Sequence, residues 1–89
     1  MNVYVLTVED NLPLESSFGV NGVYQSFENA KAQLGTDYHD MIKECDSGNF
    51  MPRYFKEYTT IEEDGYWEIR SKYEEGIYMS EGIEEFPLE

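Results

Sequence analysis

The chain opens with a run of apolar and β-branched residues. Positions 3–8 read Val-Tyr-Val-Leu-Thr-Val and are followed by three polar residues. A short, nearly continuous apolar run of this kind predicts a strand that is covered on both faces and is therefore central in a sheet. Pro13 and two serines predict a loop over 12–18. Asn21-Gly22 predicts a tight turn into a short extended piece, Val23-Tyr24.

The middle of the chain has the periodicity of helices. Ser26 is a suitable N-cap for a helix that begins at Phe27, and Gly35 is a suitable residue to end that helix in the left-handed conformation. A second helix is predicted to begin at Thr36 or Asp37 and to close at Ser47-Gly48. One bent helical unit is the alternative, because one or two residues separate the two.

The C-terminal half predicts a meander of antiparallel strands. A three-residue loop at 63–65, with Gly65 in the left-handed conformation, pairs Ile61 with Trp67 and Thr59 with Ile69. A two-residue Asp64-Gly65 turn would instead place Trp67 opposite Glu62, so the apolar pattern favours the longer loop.

A second loop of the same kind at 74–76 pairs Tyr73 with Ile77 and Ser71 with Met79. Both loops keep the same apolar side chains on one face: Trp67, Ile69, Ile77 and Met79. The prediction is one α+β domain over 1–89. Its antiparallel sheet has about four strands, the N-terminal strand plus the C-terminal meander, and packs against one or two short helices.

Composition indicates a folded, strongly acidic protein. The chain has 89 residues, a net charge of −13 and 16% aromatic residues, which are scarce in disordered chains. This charge repels nucleic acid and anionic membranes and attracts basic surfaces. The single cysteine excludes an internal disulfide, and the start Met1-Asn2-Val3-Tyr4 lacks a signal-peptide pattern. We therefore expect a cytoplasmic protein.

The carboxylates are concentrated in the C-terminal half. Of 19 acidic residues, 11 lie from Glu57 onwards, against only Arg70 and Lys72. In an up-and-down meander alternate turns share one end of the sheet, which predicts an acidic end formed by Glu62, Glu63, Asp64, Glu81, Glu84 and Glu85. Three uses are open for it: a solvated surface that opposes aggregation, an electrostatic decoy for a phosphate-binding groove, or another use such as metal binding.

The predicted register also places tyrosines on the polar face of the meander. Tyr58, Tyr66 and Arg70 are the residue types that anchor protein interfaces, and we predict this role for them. The alternative is that helices cover this face and that the tyrosines belong to the core.

The residues suggest no catalytic or metal chemistry. His39 is predicted on a helix surface without a nucleophile beside it, and Cys45 lies on an apolar helical stripe. One Cys and one His cannot close a tetrahedral zinc site, and no phosphate-binding glycine loop is present. We expect no catalytic residues, no metal and no cofactor.

One N-terminal pattern resembles a known type of domain. Val3-Tyr4-Val5-Leu6-Thr7, followed by Gly22-Val23-Tyr24-Gln25-Ser26-Phe27-Glu28-Asn29-Ala30, is similar to small domains of phages and bacterial mobile elements. By size, acidity and layout the chain also resembles phage-encoded inhibitors of host defence, such as anti-CRISPR and anti-restriction proteins. The resemblance implies a location in the host cytoplasm and carries no catalytic residues.

The expected function is that of an inhibitor that docks on a basic, nucleic-acid-handling surface of a protein partner, without binding nucleic acid or membrane itself. Two alternatives stay open at this point. One is an oligomeric sponge for a small ligand or nucleotide, with pockets lined by Tyr and Trp67. The other is a structural accessory protein, and a homodimer is compatible with each.

Overall fold

The computed structural model describes residues 1–88, which form five strands and two helices. Their order is β1 (Asn2–Leu12), β2 (Glu15–Tyr24), α1 (Phe27–Asp46), α2 (Pro52–Phe55), β3 (Tyr58–Glu63), β4 (Tyr66–Ser71) and β5 (Tyr78–Pro87). All strand pairs are antiparallel, and the order across the sheet is β2-β1-β5-β4-β3. The mixed α+β class is confirmed, and the predicted four strands become five.

The fifth strand is β2, which lies where we predicted a loop over 12–18. The actual turn is only Pro13-Leu14, since Leu12 already pairs with Glu15. Asn21-Gly22 is not a turn either. It forms an irregularity within β2, where the register changes between the Val5–Val23 and Thr7–Val20 pairs. The serines of β2 suit a strand here because β2 is an edge strand that is largely exposed to solvent.

α1 is one continuous helix of 20 residues, so the predicted break at Gly35 is wrong and the alternative of one helical unit is closer to the structure. The predicted start is confirmed: the Ser26 hydroxyl accepts a hydrogen bond from the Asn29 backbone N–H at 3.1 Å. Apolar side chains continue at helical spacing through Gly35 into the second half, from Leu34 to Tyr38 and on to Cys45. Burying that stripe outweighs the cost of about 1 kcal/mol for a glycine inside a helix.

The predicted register between β3 and β4 is wrong by one residue. Glu62 pairs with Trp67 and Thr60 with Ile69, so the turn is the two-residue Asp64-Gly65 that the apolar pattern disfavoured. The pattern misleads because Thr59 to Glu63 are exposed, and an exposed edge strand gains little from matching apolar residues across the pair.

The register between β4 and β5 differs from the prediction by two residues, because Ile69 and not Ser71 pairs with Met79. A two-residue difference leaves every side chain on its predicted face. Trp67, Ile69, Ile77 and Met79 accordingly lie together in the buried core.

The core lies between one face of the sheet and the two helices. Leu6, at the centre of β1, and Phe55, on α2, are completely buried, and Ala30 and Leu34 supply the contact from α1. Neither helix within residues 1–88 is both long and apolar enough to cross a membrane. The two helices cover one face of the sheet and leave its other face open.

Candidate functional site

Five of the six residues of the predicted acidic end lie at the surface. Glu62 and Glu63 are exposed at the end of β3, and Asp64 in the turn forms an ion pair with Lys31 at 2.8 Å. Glu84 and Glu85 are exposed on β5 but, as neighbours on a strand, they extend from opposite faces of the sheet. All five side chains are at the surface, and Asp64 and Glu84 line the same shallow cavity together with Glu9.

Glu81 does not belong to a surface at all, which corrects its place in the acidic end. It is only 1% exposed, because it lies opposite Trp67 on the face of the sheet that α1 covers. Its carboxylate accepts hydrogen bonds from the Trp67 indole N–H at 3.3 Å and from the Asn21 amide at 2.9 Å.

Tyr66 and Arg70 lie on the open face of the sheet, whereas Tyr58 does not. Tyr58 packs against the core and donates a hydrogen bond to Asp46 of α1 at 2.6 Å. The one-residue register difference moves Tyr58 to the helix side of the sheet. Tyr58 is thus half-buried and takes part in the packing of the fold, and the interface role stays a prediction.

Arg70 is already held by its neighbours on the open face. Its guanidinium contacts Glu68 at 3.0 Å and lies 4.8 Å from the centre of the Tyr78 ring. The Tyr66 hydroxyl donates to the same Glu68 carboxylate at 2.9 Å. The ion pair with Arg70 and the hydrogen bond from Tyr66 stabilise the buried Glu68 carboxylate, so both side chains have a structural role on this face.

A larger group of carboxylates surrounds a pocket between α1 and the sheet. The cavity has a volume of about 290 Å³. Four strands (β1, β2, β4 and β5) and α1 supply its walls. Five of the residues that line it are acidic: Asp10, Asp37, Asp40, Glu44 and Glu81. Among residues 1–88, no Lys, Arg or His lines this cavity. We call it the acidic pocket.

The floor of the acidic pocket is apolar. Val8, Met41, Trp67 and Met79 line it, and the last two belong to the buried core. The Trp67 ring is fixed from behind by Tyr38, with 5.5 Å between ring centres. The acidic pocket therefore combines an apolar and aromatic floor with negatively charged walls.

Burial and a neighbouring carboxylate keep the Glu81 carboxyl partly protonated near neutral pH. Burial raises the pKa of Glu81 to about 7, with the neighbouring Asp37 adding to the rise and the hydrogen bonds from Asn21 and Trp67 opposing it. Burial also raises the pKa of Asp10, against the effect of the Ser80 backbone N–H. A positive group placed in the pocket would release the Glu81 proton and replace it.

Sequence reasoning missed this site, although one signal for it was present. Asp37, Asp40 and Glu44 recur at i, i+3 and i+7, which places them on one side of a helix. All three lie in the second of the two predicted helices, but the prediction considered only the apolar stripe of that helix. Asp10 and Glu81 come from strands whose contact with α1 depends on the three-dimensional fold.

The chemistry open to the acidic pocket is binding of a positively charged group. Within residues 1–88 no group of three or more Asp, Glu, His or Cys side chains is arranged to hold a metal ion.

Cys45 is buried, and its pKa is raised to about 11 by burial and by Asp46 and Glu44, so it is a poor nucleophile. His39 is exposed on α1 beside Tyr38.

Comparison of the chain with protein-family models, with curated proteins and with solved structures found no match. The resemblance to phage domains and to inhibitors of host defence stays a prediction.

Proposed function

We propose that this chain is a small binding protein that docks on the basic, nucleic-acid-handling surface of a protein partner and competes there with nucleic acid. The observation that carries the proposal is the acidic pocket, where five carboxylates and no cationic side chain of residues 1–88 meet over an apolar floor. Such a surface is complementary to the basic patches that hold phosphates.

Exposed carboxylates outside the pocket support the same proposal. Among residues 1–88 there are only two ion pairs, Lys31–Asp64 and Arg70–Glu68. Most carboxylates of the described residues therefore form no ion pair within the chain. The net charge of −13 steers a basic partner from a distance. Glu62, Glu63, Glu84 and Glu85 contribute to this steering, while the pocket supplies the short-range contact. The phage-domain resemblance favours a partner from a host defence system.

The alternative of a nucleotide sponge is less well supported by the pocket. Trp67 does line it, as that alternative predicts, but no tyrosine does so within the described residues. Five carboxylates would also repel the phosphates of a nucleotide. A structural accessory protein would have no need for a charged cavity over an aromatic floor.

Capture experiments with matched variants test the proposal. The immobilised chain is mixed with a bacterial lysate, with and without competitor DNA and at low and high salt. Asp40→Asn combined with Glu44→Gln removes two charges from the pocket. Glu74→Gln combined with Glu75→Gln removes two exposed charges from the β4–β5 loop and serves as the control.

We expect captured basic proteins to be displaced by DNA, and the pocket variant to lose at least about tenfold more capture than the control, since a close charge pair contributes more than ~1.4 kcal/mol. Equal losses in both variants would mean that only total charge matters. Capture that DNA and salt leave unchanged would overturn competition for a nucleic-acid surface.

A further inference from the structure

The acidic pocket has a size and shape that suit a side chain. Small-molecule sites have volumes of roughly 300–1,000 Å³, and this cavity of about 290 Å³ lies at the lower limit. It is also open to solvent beside the exposed Asp40 and Glu44, so a side chain from another protein can enter without moving α1. A group with an apolar stem and a charged end fits the two parts of its lining.

Arginine suits this lining better than lysine does. Guanidinium is planar, weakly hydrated and able to stack on an aromatic ring, and it presents five donors to carboxylates that lie in different directions. Here Trp67 supplies the ring, and Asp37, Asp40 and Glu44 supply acceptors along one side of α1. Met41 and Met79 can adapt to the methylene stem, since methionine side chains fill irregular space easily.

We infer that the acidic pocket is the socket for one arginine side chain of the protein partner. The inference rests on the proposed function, because that function supplies a partner with a basic surface. It adds the residue type that the partner inserts and the place where it goes. The remaining exposed carboxylates then attract the basic partner from a distance and do not have to contact specific residues of it.

The pocket can be tested without the partner by titrating N-acetyl-arginine amide into the 15N-labelled chain. Trp67 is the only tryptophan, so its indole N–H gives one resolved NMR signal at the pocket floor. N-acetyl-citrulline amide has the same shape without the charge and is the matched control. N-acetyl-lysine amide and spermidine complete the set of probes.

We expect the arginine derivative to shift the Trp67 signal with saturation in the millimolar range and the citrulline derivative to leave it in place. Asp40→Asn with Glu44→Gln should weaken the arginine derivative by about tenfold, and Glu74→Gln with Glu75→Gln by less than about twofold. Binding should strengthen from pH 5.5 to pH 8, as Glu81 loses the proton that the cation replaces, while Asp10, Asp37, Asp40 and Glu44 face the same cavity.

Three outcomes would overturn the inference. They are an unmoved Trp67 signal, an equal effect of the citrulline derivative, and tighter binding of spermidine, which would assign the pocket to a free polyamine. If the arginine derivative fails while partner capture still depends on Asp40 and Glu44, the proposed function stands and the arginine socket fails. If the derivative binds while no partner is captured, the socket stands and the proposed function fails.

Discussion

Replacing Glu81 by glutamine should remove much of the pH dependence of stability between pH 5 and pH 8. The Glu81 carboxyl has an ordinary pKa of 4.5 and a pKa of about 7 in the folded chain. The folded state therefore binds this proton more tightly than the unfolded state. The stabilisation is complete below about pH 4.5 and is lost as the pH rises through 7.

The size of this effect follows from the difference between the two pKa values. At about 1.36 kcal/mol for each pH unit, the raised pKa corresponds to roughly 3 kcal/mol of stability lost between pH 4.5 and pH 7. We expect a loss of about 2–3 kcal/mol in the free energy of unfolding over this range. Glu81→Gln has an uncharged amide at every pH, so it should match the parent near pH 5 and exceed its stability at pH 8.

Urea unfolding followed by Trp67 fluorescence at pH 5, 6, 7 and 8 measures this difference. Glu84→Gln is the matched control, since it removes one glutamate charge from the exposed part of the same strand. The control accounts for the general effect of titrating a highly acidic chain. The reasoning is refuted if Glu81→Gln, compared with Glu84→Gln, keeps the full decline in stability between pH 5 and pH 8.

Three further predictions concern the fold. Gly35→Ala should raise the free energy of unfolding in urea by about 1 kcal/mol, since Gly35 lies inside α1 and an added Cβ meets no atom within 4 Å; a loss would mean that the helix needs glycine there. Gly65→Ala should lower it by about 1–2 kcal/mol, because Gly65 has φ +84° while its added Cβ makes only ordinary contacts; an unchanged midpoint would contradict that conformation. Cys45 should react with a thiol reagent at pH 8 about a hundredfold more slowly in the native than in the urea-unfolded chain, because its pKa is raised from 9.0 to about 11; equal rates would show an accessible thiolate.

Local sequence signals predicted the elements whose side chains are buried. The start of α1 at Phe27 follows from Ser26 because a cap is a contact between near neighbours. The apolar face of β4 and β5 follows from alternation, which survives a two-residue change of register. In both cases the residues that determine the structure are adjacent in sequence or are fixed by the burial of one face.

The failures occur where the determining contacts are distant or weak. β2 is an exposed edge strand, so its serines and glycines have the composition of a loop, and only pairing with β1 makes it a strand. β3 is exposed on nearly its whole length, and its apolar residue Ile61 indicates the wrong register because its side chain is not buried. The acidic pocket was not predicted because Asp10 and Glu81 are distant from α1 in the sequence and approach it only through the sheet.

The position of β5 has a consequence for how the chain reaches this structure. β5 lies between β1 and β4, and it pairs Asn2 with Pro87, residues from opposite ends of the described chain. On the ribosome the β1–β2 and β3–β4 hairpins can each form early. One edge of β1 and one edge of β4 stay unpaired until β5 has been synthesised. Contacts of such long sequence separation make folding slow for a chain of this size, and two unpaired strand edges stay exposed to other chains during the delay.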